Sequence, residues 1–122
     1  MDIDALRRDV HAFREASEKI LPEIDRTIFG DFPRGCCGAV SEILAAFLER
    51  RGHGKFAYVC GVRSKEGRAP ESHAWLERDG LIVDVTRDQF GKDGHPSRCG
   101  VVPKAGRWRQ RRGRRTLGPA RA

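Results

Sequence analysis

Three residues able to share covalent chemistry stand out along this chain: a cysteine in Gly35-Cys36-Cys37-Gly38, a histidine in Ser72-His73-Ala74-Trp75, and an aspartate in Leu81-Ile82-Val83-Asp84-Val85. A thiol becomes a nucleophile as its thiolate, a helix N-terminus favours that anion, and a neighbouring imidazole can take its proton. A carboxylate on the far side of the imidazole fixes the tautomer and steadies the charged ring. Cys37 meets the first condition. Val40, Ile43, Leu44, Phe47 and Leu48 fall at i, i+3, i+4, i+7 and i+8, so the spacing predicts one apolar helical stripe beginning just after it. Gly35 and Gly38 let a substrate approach the backbone closely, and the N–H of Cys37 or Gly38 is the expected oxyanion donor. Cys36 lies one residue further from the helix and competes for the nucleophilic role, or serves as a neighbouring or resolving thiol.

The His and Asp must meet for this chemistry, and one turn decides whether they do. Asp79-Gly80 between two β-rich runs is a strong hairpin signal. With those two residues as the turn, Arg78 faces Leu81, and His73, Trp75 and Glu77 share a face with Ile82, Asp84 and Thr86. His73 and Asp84 become diagonal neighbours within hydrogen-bonding reach. A three-residue loop would shift the register by one and put them on opposite faces. An acid inside Leu-Ile-Val-Asp-Val needs a partner, because an unpaired buried carboxylate is costly. His73 is the available one, with Asp88 the fallback orienter. Trp75, on the same face, is expected to wall the site.

These segments resemble the papain-like/transglutaminase-like cysteine superfamily. The likeness rests on Phe32-Pro33-Arg34-Gly35-Cys36-Cys37-Gly38 with Ser41, on Ser72-His73-Ala74-Trp75-Leu76-Glu77, and on Ile82-Val83-Asp84-Val85-Thr86-Arg87-Asp88-Gln89-Phe90. They look most like small bacterial members reading "FP-x-G-x-CG…S-x-x-L" and then "HAWLE…(I/V)D(I/V)T-x-DQF". The resemblance spans about residues 30–90. It implies Cys37 as nucleophile, His73 as base and Asp84 as orienter, with Gly38 and Trp75 beside the substrate. The implied activity is thiol-dependent acyl transfer on a peptide, protein or small amide or ester. After Phe90 no continuation of the sheet is evident.

The surrounding chain supplies an α+β frame. Ile3, Leu6, Val10, Phe13, Ile20, Leu21, Ile24 and Ile28 keep a near-helical period over residues 2–29, with Pro22 expected to break or kink it. Phe56–Val62 reads as a central strand and Arg63–Glu71 as a polar loop. The expected architecture is N-terminal helices and a Cys-bearing helix packed on a small antiparallel sheet. Cys60, mid-strand, is expected in the core. Cys99 has no assignable role.

Charge is unevenly placed. The 122 residues carry a net +7, and residues 103–122 hold eight Lys and Arg with no acid, so subtracting those eight leaves residues 1–102 at −1. The expected division is one domain over 1–102 and a basic, disordered tail over 103–122, from which Trp108 and its arginines could bind nucleic acid weakly. A catalytically inactive binding module of the same fold is the other alternative. No apolar run has membrane-spanning length and the N-terminus is acidic, which suggests a cytoplasmic chain with reduced thiols and no membrane partner. No C-x-x-C occurs, and His53, His73 and His95 are far apart, so neither a metal nor another cofactor is expected.

Overall fold

The computed structural model describes residues 1–63, 67, 71–87, 100–104, 109–110 and 115–116. Three helices, α1 (Ile3–Ile24), α2 (Arg26–Phe29) and α3 (Cys37–Arg50), precede an antiparallel sheet of β1 (Ala57–Arg63), β2 (Glu71–Arg78), β3 (Leu81–Asp84) and β4 (Gly100–Pro103). Two further short strands, β5 (Arg109–Gln110) and β6 (Arg115–Thr116), both pair with β1, and the main order is β4-β3-β2-β1-β5. The mixed helical and antiparallel arrangement is the α+β class.

Asp2 starts α1 by accepting a hydrogen bond from the Ala5 N–H at 3.0 Å. The helix runs through Pro22 and stops only at Asp25, so the expected break falls three residues late. Asp25 is extended, and its carboxylate accepts from the N–H groups of Thr27 and Ile28, which caps α2. That capping ends one helix and begins the next. Leu6, Val10, Phe13 and Leu21 are buried, whereas Ile3, Ile20, Ile24 and Ile28 are exposed, so the apolar stripe inferred from spacing was too wide.

Helix α3 is also rotated from its expected face. Val40, Ser41, Leu44, Ala45 and Leu48 are buried, and Ile43 is 39% exposed. Small residues explain the turn: Ser41 and Ala45 let the helix lie close on the sheet, and the Ser41 hydroxyl donates to the Ala74 carbonyl at 3.4 Å. One core then joins Leu6, Val10, Phe13, Val40, Leu44, Leu48, Phe56, Leu76, Val83 and Val101. The rings of Phe13 and Phe47 meet at 5.4 Å, and His53 bonds Asp9 at 2.7 Å, tying the end of α3 to α1. Val59, Trp75 and Ile82 form a second apolar cluster with Val102 beside it.

The hairpin has the anticipated register. Arg78 pairs Leu81, Glu77 pairs Ile82 and Leu76 pairs Val83. Asp79 and Gly80 both have positive φ, 51° and 76°, the backbone that suits a two-residue connection between twisted strands. Strand β2 also begins at Glu71 and β1 ends at Arg63, so the loop between them is shorter at both ends than the polar residues suggested.

Expecting no sheet beyond Phe90 was a mistake. β4 pairs β3 from Leu81↔Pro103 to Asp84↔Gly100. An edge strand of four residues needs only Val101 and Val102 at its centre, and Gly100 and Pro103 fall at its ends, where they do no harm. Within residues 103–122, β5 pairs Gly61 and Val62, and β6 pairs Ala57 and Tyr58. Such pairing is made by backbone groups and leaves no hydrophobic pattern to read. The rest of the proposed tail, with Trp108, and Asp88, Cys99 and His95, lies outside the described residues.

The rotated face of α3 makes a direct prediction. Leu48→Ala should lower unfolding free energy by about 2–5 kcal/mol, as deletion of a fully buried leucine does. Ile43→Ala should change it by no more than about 0.5 kcal/mol. Urea denaturation of the two variants measures both, and comparable losses would mean that α3 buries the face first inferred from its sequence.

Candidate active site

Cys37 is the first residue of α3 and is half-buried. Its place follows from the chain before it: Gly35 turns with φ 74°, Cys36 takes the N-cap position without a side-chain cap bond, and the Val40 N–H donates the first helical bond to the Cys36 carbonyl at 2.9 Å. The N–H groups of Cys37, Gly38 and Ala39 therefore have no acceptor within the helix and face the thiol's end of it.

His73 and Asp84 meet across the hairpin. The His73 Nε2–H donates to Asp84 Oδ2 at 2.6 Å, with the two side chains 0% and 2% exposed. The other Asp84 oxygen, Oδ1, accepts from the Thr86 N–H at 3.0 Å and from its hydroxyl at 3.5 Å. Both oxygens of the carboxylate are thus held, and its rotation is fixed. Arg14 of α1 supports the same segment by donating to the Val85 carbonyl.

The Cys37 sulfur completes the group. It is hydrogen-bonded to His73, and the Ala74 N–H donates to it. With Nε2 committed to Asp84, Nδ1 is the ring nitrogen left for sulfur. The β2–β3 ladder ends at Leu76↔Val83, two residues short of Ala74. Helix α3 then serves the Ala74 backbone: Ser41 satisfies its C=O, and Cys37 takes its N–H.

Electrostatics separates the two adjacent thiols. Burial, the neighbouring Cys37 and Asp31 push Cys36 up to about 11 against a smaller opposing pull from Arg14, so it stays protonated. Burial also opposes ionisation of Cys37, yet the hydrogen bond and charge of His73, helped by the Ala74 N–H, outweigh it and hold the thiol below its ordinary value. For His73, burial disfavours the charged ring, but the Asp84 charge, the bond to it and the Cys37 sulfur raise it to about 9. The His73 ring thus sits charged between the Asp84 carboxyl group and the Cys37 sulfur.

Trp75 is placed as a wall. Its ring centroid is 5.8 Å from that of His73, it is buried, and its indole N–H donates to Glu77 Oε1 at 3.3 Å. Lys104 Nζ meets the same Glu77 oxygen at 3.4 Å, so β4's end helps to hold the indole against the imidazole. This geometry has the tryptophan contacting the histidine from the side, while Gly38 is the residue of the pair beside the thiol. Gly61 pairs directly with His73. Cys60 is half-buried rather than part of the core.

Thr86, Ser41, Glu77 and Lys104 support the site, and the sequence alone assigns none of them a role in it. Thr86 had a visible signal, since Asp-x-Thr is the spacing at which a carboxylate accepts from the backbone two residues on. Ser41 is four residues from Cys37 and so on its helical face. Among the described residues no three His, Cys, Asp or Glu side chains are grouped to hold a metal, and no helix is long and apolar enough to cross a membrane.

Fold and site together define an α+β chain with a buried Cys–His–Asp constellation at the junction of a helix and a hairpin. No family model matches the chain, and neither does any curated protein or solved structure.

The charged ring has a measurable signature. The folded pKa of His73, about 9, lies above its ordinary 6.5, so the imidazolium stabilises the fold fully below about pH 6.5, and that contribution is lost as pH rises through about 9. Asp84→Asn removes the charge that holds the proton. It should lower the His73 pKa in an NMR titration, and its Tm deficit relative to wild type should shrink as pH rises past 9. An unchanged His73 titration in Asp84→Asn would remove Asp84 as the orienting charge.

Proposed function

We propose that this chain is a thiol-dependent acyl-transfer enzyme of the papain-like/transglutaminase-like kind, using Cys37, His73 and Asp84. The observation that carries the reading is the 2.6 Å His73–Asp84 pair with the Cys37 sulfur hydrogen-bonded to the same ring at a helix start. The sequence likeness over residues 30–90 supports it.

The chemistry runs from the resting ion pair. Cys37 Sγ adds to the carbonyl carbon of an amide or ester, forming the S–C bond while the carbonyl electron pair moves to oxygen. The N–H groups at the start of α3 stabilise that oxyanion. As the pair returns, the C–N or C–O bond breaks, and the His73 imidazolium gives its Nδ1 proton to the departing amine or alkoxide. A thioester remains. Neutral His73 then takes a proton from water or an incoming amine as it attacks the thioester carbonyl, and the S–C bond breaks to restore thiolate and imidazolium. Hydrolysis, deamidation and transamidation share these steps and differ in the amide attacked or the acceptor used.

Burial divides the labour. Sulfur is reachable at the half-buried Cys37, whereas His73 and Asp84 are sealed behind Trp75 and the hairpin. Substrate and water thus meet the site at sulfur and at the Nδ1 side of the ring, while the Nε2 bond to Asp84 is shielded from solvent.

An activated ester such as p-nitrophenyl acetate should acylate Cys37, seen as a mass adduct on the peptide that contains it. Cys37→Ala should abolish the adduct, and Asp84→Asn should slow its formation by about 10²–10⁴-fold, the usual worth of acid–base assistance. Iodoacetamide should likewise label Cys37 ahead of Cys36 and Cys60, with His73→Ala slowing it. Acylation that persists in Cys37→Ala, or falls on Cys60 in the wild type, would overturn the assignment.

A further inference from the structure

Tyr58 stands at the nucleophile's helix and plays no part in the triad. It lies on β1 opposite Leu76, on the sheet face that meets the main core. A carbon added to Gly38 would lie 3.0 Å from the phenol oxygen, so the hydroxyl abuts the first turn of α3 one residue from Cys37. That hydroxyl is also hydrogen-bonded to the thiol of Cys60, two residues along the same face of β1, and it feels the charges of Cys37 and Glu42. Gly38 has no side chain to separate the phenol from the backbone N–H groups already left open there.

We propose that Tyr58 is a catalytic residue of the acyl transfer: its O–H donates to the oxyanion formed when Cys37 adds to a carbonyl, beside the backbone N–H groups that open α3. This assignment rests on the acyl-transfer reading above. The role consumes no proton. As the S–C bond forms, the carbonyl pair moves to oxygen and the phenol donates to it; as the leaving-group bond breaks, the pair returns and Tyr58 keeps its hydrogen. At rest the phenol O–H donates to the Cys60 sulfur, the direction in which that bond raises the phenol's pKa, and it turns to the carbonyl oxygen as the oxyanion forms. Burial, the bond to Cys60 and the surrounding charges raise the phenol's pKa, so the hydroxyl stays a donor wherever the Cys37–His73 pair is charged.

Two reactions of the same thiol separate this role from a structural one. Iodoacetamide alkylates by displacement at a saturated carbon and forms no oxyanion, whereas p-nitrophenyl acetate must pass through one. In the full chain, Tyr58→Phe should leave alkylation of Cys37 unchanged and slow its acylation by about 10²–10³-fold, the cost of losing one oxyanion donor. Gly38→Ala, which crowds the phenol oxygen, should slow acylation in the wild-type background and add little in Tyr58→Phe. Undiminished acylation in Tyr58→Phe overturns the assignment. So does a parallel fall in both reactions, which would place the effect on the thiol itself. A wild type that alkylates at Cys37 but forms no acyl-enzyme overturns the acyl-transfer reading, and Tyr58's role with it.

Discussion

The backbone of Ala74 is the constraint around which the site is built. β3 leaves the ladder at Leu76↔Val83, and a buried amide cannot go without partners, because an unsatisfied N–H or C=O costs on the order of 1–3 kcal/mol. Helix α3 fills the gap, with Ser41 on the carbonyl and Cys37 on the amide. The need to satisfy one peptide group therefore brings a thiol to the strand that carries His73. A side chain placed this way is held by the same bonds that hold the helix to the sheet.

From that junction the support spreads in two directions. Toward β3, the Asp84 carboxylate is shared between His73 and Thr86, and Arg14 reaches from α1 to the Val85 carbonyl. Along β2 on the same face, Glu77 joins Lys104 to the indole of Trp75, which lies against the imidazole. His73 is held from two elements, α3 through Cys37 and β3 through Asp84. A ring clamped between a carboxylate and an indole has little freedom to turn, so it presents one particular nitrogen to the Cys37 sulfur.

Much of this was legible where local chemistry dictates structure. Asp79 and Gly80 tolerate the positive φ of a two-residue turn, that turn sets the register, and the register puts His73 beside Asp84. Cys37 could be placed because the stripe from Val40 to Leu48 has helical spacing, although the stripe alone pointed Ile43 inward. Tertiary fit decided otherwise: Ser41 and Ala45 are small enough to approach β2, and apolar counting gives them no weight. Spacing could not show β4, β5 or β6 either, since a two- or four-residue strand joins a sheet through peptide groups common to every residue. Tyr58 was invisible for a related reason. Its relation to Gly38 crosses from a strand to a helix and follows no interval along the chain.

The hairpin register carries a consequence for the population of molecules. Val83 faces the main core and Asp84, the next residue, faces His73. A slip of one position would turn Val83 out of the core in the same motion that turned Asp84 away from the histidine. A well-packed chain with a scrambled site is therefore not a stable alternative state. Each correctly packed hairpin is also a correctly assembled one, so the count of His73–Asp84 pairs in a sample follows the count of native cores.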